Sequence, residues 1–516
     1  MAKRGYLLLT VLVGLLGVLI SRRRGPTDDQ RPTPIVGRNN TVLFLVNVEH
    51  GLSNVHVATA FSLIEHHPEV TVHFASWSKL RDRTDKLSAF ARKRTPSSPP
   101  VVFHELPPPN FYDAGKRTSL SLMQPPGIAG NRALSKDMQQ LVSPWSGPDY
   151  LKIYKHVSGL IQEIDPAVVV LETFMRPGAD ATRDANRLYA VLTPNMLSEC
   201  FGEQQPWMGV FWKYPAIGSG LNFPVPWRDI PSNIYQVVSF ISSLAFGAEI
   251  SAKRKFLVEN GMKNPLRLSD SHRPGTSVLI SQDTAGSSIP VEFVPPNVTA
   301  TGPIVVGVAP VEDQDPELAA WLARSPTVLV NLGSVLEYDA ARARPMAAAL
   351  RAVLERTNVQ IIWKLHRAEG LDDETWKPLL EEFIANDRIR VSRWLTVDPA
   401  ALLESGHIVA SVHHGGANCY HEAIAAGVPH LILPAWLDHY NYAARVEEIE
   451  LGVWGNKKAA PGFSVDELTS AFLRLLDDGP ASASMRENAK RLRGTLARPG
   501  RDIAGDEIAR LAATGH

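Results

Sequence analysis

Short runs of consecutive apolar residues alternate along this chain with stretches whose apolar positions recur every three to four residues. Residues 41–48 (TVLFLVNV) predict a strand buried on both faces, followed by a polar turn at 49–54 and an apolar-periodic helix over 55–65. Residues 70–76 (VTVHFAS) and 167–173 (AVVVLET) predict further strands, each flanked by helix-like sequence. Strands that alternate with helices imply a parallel, doubly wound α/β sheet. The pattern breaks at 290–316, where prolines, glycines and acidic residues crowd together, and then restarts. Residues 327–334 (TVLVNLGS) predict a strand, an Ala-rich helix runs to Glu355, and 359–365 (VQIIWKL) predict the next strand. The expected division is an N-terminal segment over 1–34, a first α/β domain over 35–300, a linker over 301–325, and a second α/β domain with a C-terminal helix over 326–516.

Length supports that division, because 516 residues exceed what one hydrophobic core organises. Lys plus Arg and Asp plus Glu stand at 53 each, so no global positive field exists to hold nucleic acid, and a small-molecule partner is expected. Two cysteines, Cys200 and Cys419, exclude a disulfide framework and a Cys-rich zinc module. At the N-terminus, Lys3 and Arg4 precede an apolar run over 6–20 that closes on Arg22, Arg23 and Arg24. As a helix that run is about 22 Å long, short of a hydrocarbon core of about 30 Å unless flanking side chains snorkel. It reads as a retained membrane anchor followed by a tether, with a cleaved signal sequence as the alternative. An endomembrane such as the endoplasmic reticulum is the expected location.

Two further stretches bear on a binding site. Residues 207–227 carry six aromatic residues among prolines and glycines, which fits either a self-packed surface connection or a loop over an apolar acceptor pocket. Residues 234–246 are apolar on more than one face, and a core helix is expected there rather than a membrane-facing one.

The densest chemistry lies at 408–442, IVASVHHGGANCYHEAIAAGVPHLILPAWLDHYNY. A buried strand runs into His413, His414, Gly415 and Gly416, a helix starts near Asn418 and stops at Gly427, and a strand follows from His430. Paired glycines let backbone approach a ligand closely, and the unpaired amides at a helix start attract a diphosphate. Glu422 lies one turn inside the helix, in reach of a ribose hydroxyl, and Asp438 follows the next strand's carboxyl end, where ligands collect in open parallel sheets. His413, His414, Cys419, His421, His430 and His439 imitate a zinc cluster, but their spacing matches no usual ligand set.

This segment resembles the signature of the family 1 UDP-dependent glycosyltransferases, whose GT-B fold pairs two Rossmann-like domains across a cleft. His414, Gly416, Asn418, Glu422, Ala423, Gly427, Val428, Pro429, Pro434 and Asp438 stand in register with it. The resemblance implies that His414, Asn418 and Cys419 contact the donor diphosphate, Glu422 the ribose, and Asp438 with His439 the sugar hydroxyls. Cys419 stands where the family has Ser, and His439 where it has Gln. Upstream, Trp394 resembles the family's uracil-stacking residue, Val397 a base contact, and Gly333 with Ser334 a donor-phosphate loop.

By the same resemblance His50, at the end of the first strand, is the base that takes the acceptor hydroxyl's proton, with His56 as a decoy. Glu172 stands where the family has the Asp that orients this histidine. The implied reaction is inverting hexosyl transfer, glucose first, from a UDP-sugar to an apolar hydroxylated acceptor, without a metal cofactor. A catalytically silent nucleotide-sugar-binding subunit and a sugar-nucleotide epimerase of the same fold are the competing readings.

Overall fold

The computed structural model describes residues 32–118, 120, 123–267 and 277–516. The apolar run over 6–20 and its basic flanks lie outside the described residues.

The first domain is a sheet of seven parallel strands: β1 (Arg38–Leu45), β2 (Thr71–Ser76), β3 (Val102–Glu105), β4 (Pro166–Glu172), β5 (Tyr189–Thr193), β6 (Ser277–Ser281) and β7 (Val298–Ala300), in the order β3-β2-β1-β4-β5-β6-β7. The second holds six parallel strands: β8 (Thr327–Val330), β9 (Gln360–Lys364), β10 (Ile389–Ser392), β11 (Ile408–His413), β12 (His430–Ile432) and β13 (Gly452–Trp454), in the order β10-β9-β8-β11-β12-β13. The helices that matter below are α1 (His50–His66), α2 (Arg81–Arg94), α3 (Ile128–Val142), α4 (Ile230–Phe246), α5 (Ala248–Glu259), α6 (Ala340–Arg356), α7 (Ala417–Ala426), α8 (His439–Glu448) and α9 (Gly500–Thr514).

Central strands are apolar on both faces because helices cover both. Val42, Phe44, Val168 and Val170 enter one core, and Leu43, Leu45, Val169 and Leu171 the other. Residues 49–54, expected as a turn, are instead the cap and first turn of α1: the amides of Leu52 and Ser53 donate to the Glu49 carbonyl at 2.9 and 2.8 Å. A first helical turn has no intrahelical acceptors for its amides, so polar and glycine residues sit there at little loss.

The segment read as a linker passes from one core to the other, with residues 301–306 buried and 312–314 exposed. Ile304 and Val306 join the first domain's core, whereas Val311, Trp321 and Leu322 pack with Leu329 and Ile362 of the second. The final helix also departs from the sequence-based division. Ala504, Ile508 and Leu511 of α9 belong to the first domain's core with Val42 and Phe61, so the chain returns after completing the second sheet. Gly505 permits that approach, since a Cβ there would lie 2.8 Å from Ser62 Oγ on α1.

The stretch expected as a core helix is not one. In α4 the buried residues are Asn233, Gln236 and Val237, and Ile230–Glu259 is long and apolar enough to cross a membrane, with mean hydropathy 1.3 and 17% of its apolar window buried. Its apolar faces meet the cleft on one side and the surface on the other.

Because Ile508 is fully buried in the first domain's core, Ile508→Ala is expected to lower unfolding stability by about 2–4 kcal/mol, read by chemical denaturation. A loss below about 1 kcal/mol would show that α9 is not part of that core.

Candidate active site

The turn after β11 is built on two buried imidazoles. The Gly415 amide donates to His413 Nδ1 at 3.1 Å, which leaves the ring hydrogen on Nε2, 3.0 Å from His430 Nδ1. Burial holds both rings neutral, His430 down to about 3 and His413 well below its ordinary value. They are structural groups. Gly415 has φ +91, and a Cβ there would lie 2.8 Å from Ile432 Cγ2 and 3.0 Å from the His439 carbonyl oxygen.

His414 lies in a slot between two loops: Cβ atoms at Gly333 or Gly416 would come within 2.7 Å of its Cε1 or 2.6 Å of its Nε2. Its Nδ1 is buried with no protein partner, and burial, then Lys364, lowers its pKa to about 4. His439 meets it edge-on with ring centres 4.6 Å apart.

At the start of α7, Asn418 works across the cleft. Its Nδ2 donates to the carbonyls of His50 (3.2 Å) and Gly51 (3.0 Å) at the head of α1, and its Oδ1 accepts from Gln282 at 3.2 Å. Glu422, one turn further, is raised to about 7 by burial and by Asp398, against the pull of Arg83 and a hydrogen bond with Asn54. Burial pushes the Cys419 thiol up. Asp438 is raised well above the usual carboxylate range by burial and by the nearby Glu199. Glu199 itself accepts from Tyr442 Oη at 3.0 Å and from the Met196 amide at 2.8 Å.

Trp394 is 47% exposed, with His50 and His366 each 6.0 Å away between ring centres. Val397 is 2% exposed, with its side chain in the core under this loop.

His50 is the first residue of α1, and its ring is open to the cleft. Desolvation, then Arg83 and Lys364, lower its pKa to about 4, so the imidazole is neutral at physiological pH. His56 is fully buried with Nδ1 at 3.0 Å from the Leu52 carbonyl, a structural role.

The orienting contact expected from Glu172 is not formed. Glu172 is 2% exposed; its Oε2 takes Asn47 Nδ2 at 2.5 Å and its Oε1 the Phe174 amide at 2.7 Å. Both oxygens are thus engaged by the loops that follow β1 and β4. Burial raises its pKa to about 8. Asn47 Oδ1 is buried without a partner, and with that amide turned over it accepts the proton that neutral Glu172 carries.

One cavity of about 1030 Å³ unites these groups. His50, Gly333, Ser334, Trp394, Val397, His414, Gly416, Asn418, Cys419, Glu422, Asp438 and His439 all line it, and Glu172 does not. Its other end is apolar, walled by Met138 and Leu141 of α3 and by Val237, Phe240, Ile241 and Leu244 of α4. From the 207–227 stretch Val210, Tyr214 and Ile217 also reach it, whereas Trp207 and Trp227 are 87% and 74% exposed. Arg83, Glu199 and Lys364 line it too and were missed in the sequence, the first two because no motif surrounds them. Lys364 left one signal, a lone cation closing the apolar strand IIWK. Among the described residues no group of three or more His, Cys, Asp or Glu is placed to hold a metal.

Comparison with known proteins agrees with this geometry. Residues 373–509 match the family model of the erythromycin biosynthesis protein CIII-like C-terminal domain. Glycosyltransferase sdnJ of Sordaria araneosa is 34% identical over 461 residues, which span 86% of this chain and 89% of that protein. The chain belongs to the family of UDP-dependent glycosyltransferases. This glycosyltransferase shares the GT-B fold of a Polygonum tinctorium UDP-glucosyltransferase that glucosylates indoxyl (TM-score 0.61, 15% identity, 94% of this chain and 100% of that one). A UDP-glucose:anthocyanidin 3-O-glucosyltransferase bound to UDP gives TM-score 0.55 at 14% identity, over 93% and 100% of the two chains.

The Glu172 site of the glycosyltransferase sets a pH dependence. The unfolded carboxyl loses its proton near pH 4.5 and the folded one near 8, so stability falls as pH rises between those values, by up to a few kcal/mol. Glu172→Gln keeps the pairing with Asn47 and does not titrate. Denaturation between pH 5 and 8 is expected to show a flatter profile for the variant, and identical slopes would refute the assignment.

Proposed function

We propose that this enzyme transfers a hexosyl group, glucose first, from a UDP-sugar to a hydroxyl of an apolar small molecule or lipid, with inversion and without a metal cofactor. The observation that carries the reading is the single cavity that runs from the helix-start amides of α7 to an apolar end, with His50 beside it at the domain junction.

In this reading the diphosphate lies against the amides around Gly416 and Asn418, beside His414, whose free Nδ1 suits a ligand donor or acceptor. Glu422 takes the ribose, Trp394 the uracil, and Asp438 with His439 the sugar. Neutral His50 accepts the acceptor's proton as its oxygen bonds to the anomeric carbon, and the C–O bond to the β-phosphate breaks with its electron pair left on the phosphate. Glu172 is a positioning residue: by holding Asn47 it fixes the loop from β1 to His50.

The test is a panel of UDP-sugars with and without apolar hydroxylated acceptors, following UDP release. Acceptor-dependent release is expected, with transfer abolished and UDP binding kept in His50→Ala. Equal activity of the two proteins would refute the base assignment; release unaffected by acceptor would refute the transfer.

The enzyme is further proposed to be held at an endomembrane by its N-terminal apolar segment, with the apolar acceptor entering from the side of α4. Support comes from the run over 6–20 and from the sparse burial of Ile230–Glu259. Cell fractionation is expected to recover the full chain with membranes and a chain lacking residues 1–34 largely in the soluble fraction. Recovery of the full chain in the soluble fraction would count against the anchor.

A further inference from the structure

Lys364 closes β9, and its ammonium stands where loops from both domains converge. Nζ donates to the Gly333 carbonyl at 3.0 Å and lies 3.5 Å from the centre of the Trp394 ring. Its charge is felt by His50 and His414, whose basicity it lowers, and Cys419 is close enough to act on it in turn. All five of those residues line the cavity.

The cation lacks a counter-charge there. Among the described residues its partners are a neutral carbonyl and a ring face, and no carboxylate is within ion-pair distance. Burial brings its pKa down to about 8, which leaves it largely protonated at neutral pH. A desolvated ammonium without a carboxylate is unfavourable unless an anion completes the site. The amides at the start of α7 face the same space and add positive potential of their own. Two independent positive features thus converge on one pocket.

We propose that Lys364 is the cation that holds the donor's diphosphate and receives the charge that develops on it when the glycosidic C–O bond breaks. The assignment rests on the nucleotide reading of the cavity. It divides the work of the site: the α7 amides and His414 orient the two phosphates from one side, and Lys364 supplies a full charge from the other. It also couples donor to base. A diphosphate beside Lys364 offsets the positive potential at His50, so the imidazole gains basicity once the donor is seated.

Calorimetric titration of the full chain with uridine, UMP and UDP tests this, using wild type, Lys364→Met and Lys364→Arg. The methionine keeps an unbranched apolar side chain and removes the ammonium that lies over Trp394. Lys364→Met is expected to weaken UDP binding about 10- to 100-fold while leaving uridine within about twofold, and Lys364→Arg to restore most of the UDP affinity. In turnover, Lys364→Met is expected to lower kcat as well as raise KM for the donor. Equal losses for uridine and UDP would show that Lys364 merely shapes the Trp394 and Gly333 loops and would overturn the proposal. Unchanged UDP binding in Lys364→Met would overturn it too, with the nucleotide site left standing. If wild type binds neither uridine nor UDP, the nucleotide reading itself fails and this assignment with it.

Discussion

The amide of Asn418 joins the two halves of the site. Its Nδ2 reaches the carbonyls of His50 and Gly51, so the start of α7 is fastened to the start of α1 across the cleft. Each hydrogen bond is modest, worth about 1 kcal/mol net, but together they fix the separation of the two helix starts. Gln282 holds the other end of the same amide, which leaves Asn418 one orientation. Around this staple the two parallel sheets turn their carboxyl ends towards one another, and the cavity is what lies between.

Burial then sets the protonation of nearly everything nearby. His413, His414, His421, His430 and His439 are all held below their ordinary values, with desolvation as the leading cause. Of these, His413 and His430 brace the glycine turn, whereas His414 and His439 line the cavity. The acids move the opposite way. Glu49, Glu422 and Asp438, which line the cleft, are all raised, so the cleft carries less negative charge than its composition suggests.

Much of this was legible in the chain because local chemistry and tertiary placement agree. A buried strand, two glycines and a short helix ended by a glycine at φ +70 were readable between Ile408 and Gly427, since each feature has its own sequence mark. Groups that reach the site through long-range packing left no such mark. Arg83 arrives on α2 and Glu199 on the short helix Leu197–Phe201 after β5, and neither position differs in sequence from an ordinary surface charge. Glu172 illustrates the opposite failure. Its place in the strand was readable, but its partner was not, because the loop bearing Asn47 takes up the longer side chain before it can turn to His50. The helix at 230–246 was misjudged for a related reason: apolar residues around its circumference do not reveal whether protein, ligand or lipid covers them.

The return of α9 to the first domain bears on how the cleft can open. Two separate stretches of backbone, the one near Ile304 and the one leading into Gly500, cross between the lobes. A single crossing acts as a universal joint, whereas a pair of crossings acts as the two leaves of a door hinge and leaves mainly one axis of rotation. The same wiring means that the first lobe is not an uninterrupted piece of polypeptide, whereas the second is. A fragment that stops after residue 300 lacks the helix that seals its own core, and one that begins there carries that helix with an apolar face it has nowhere to put.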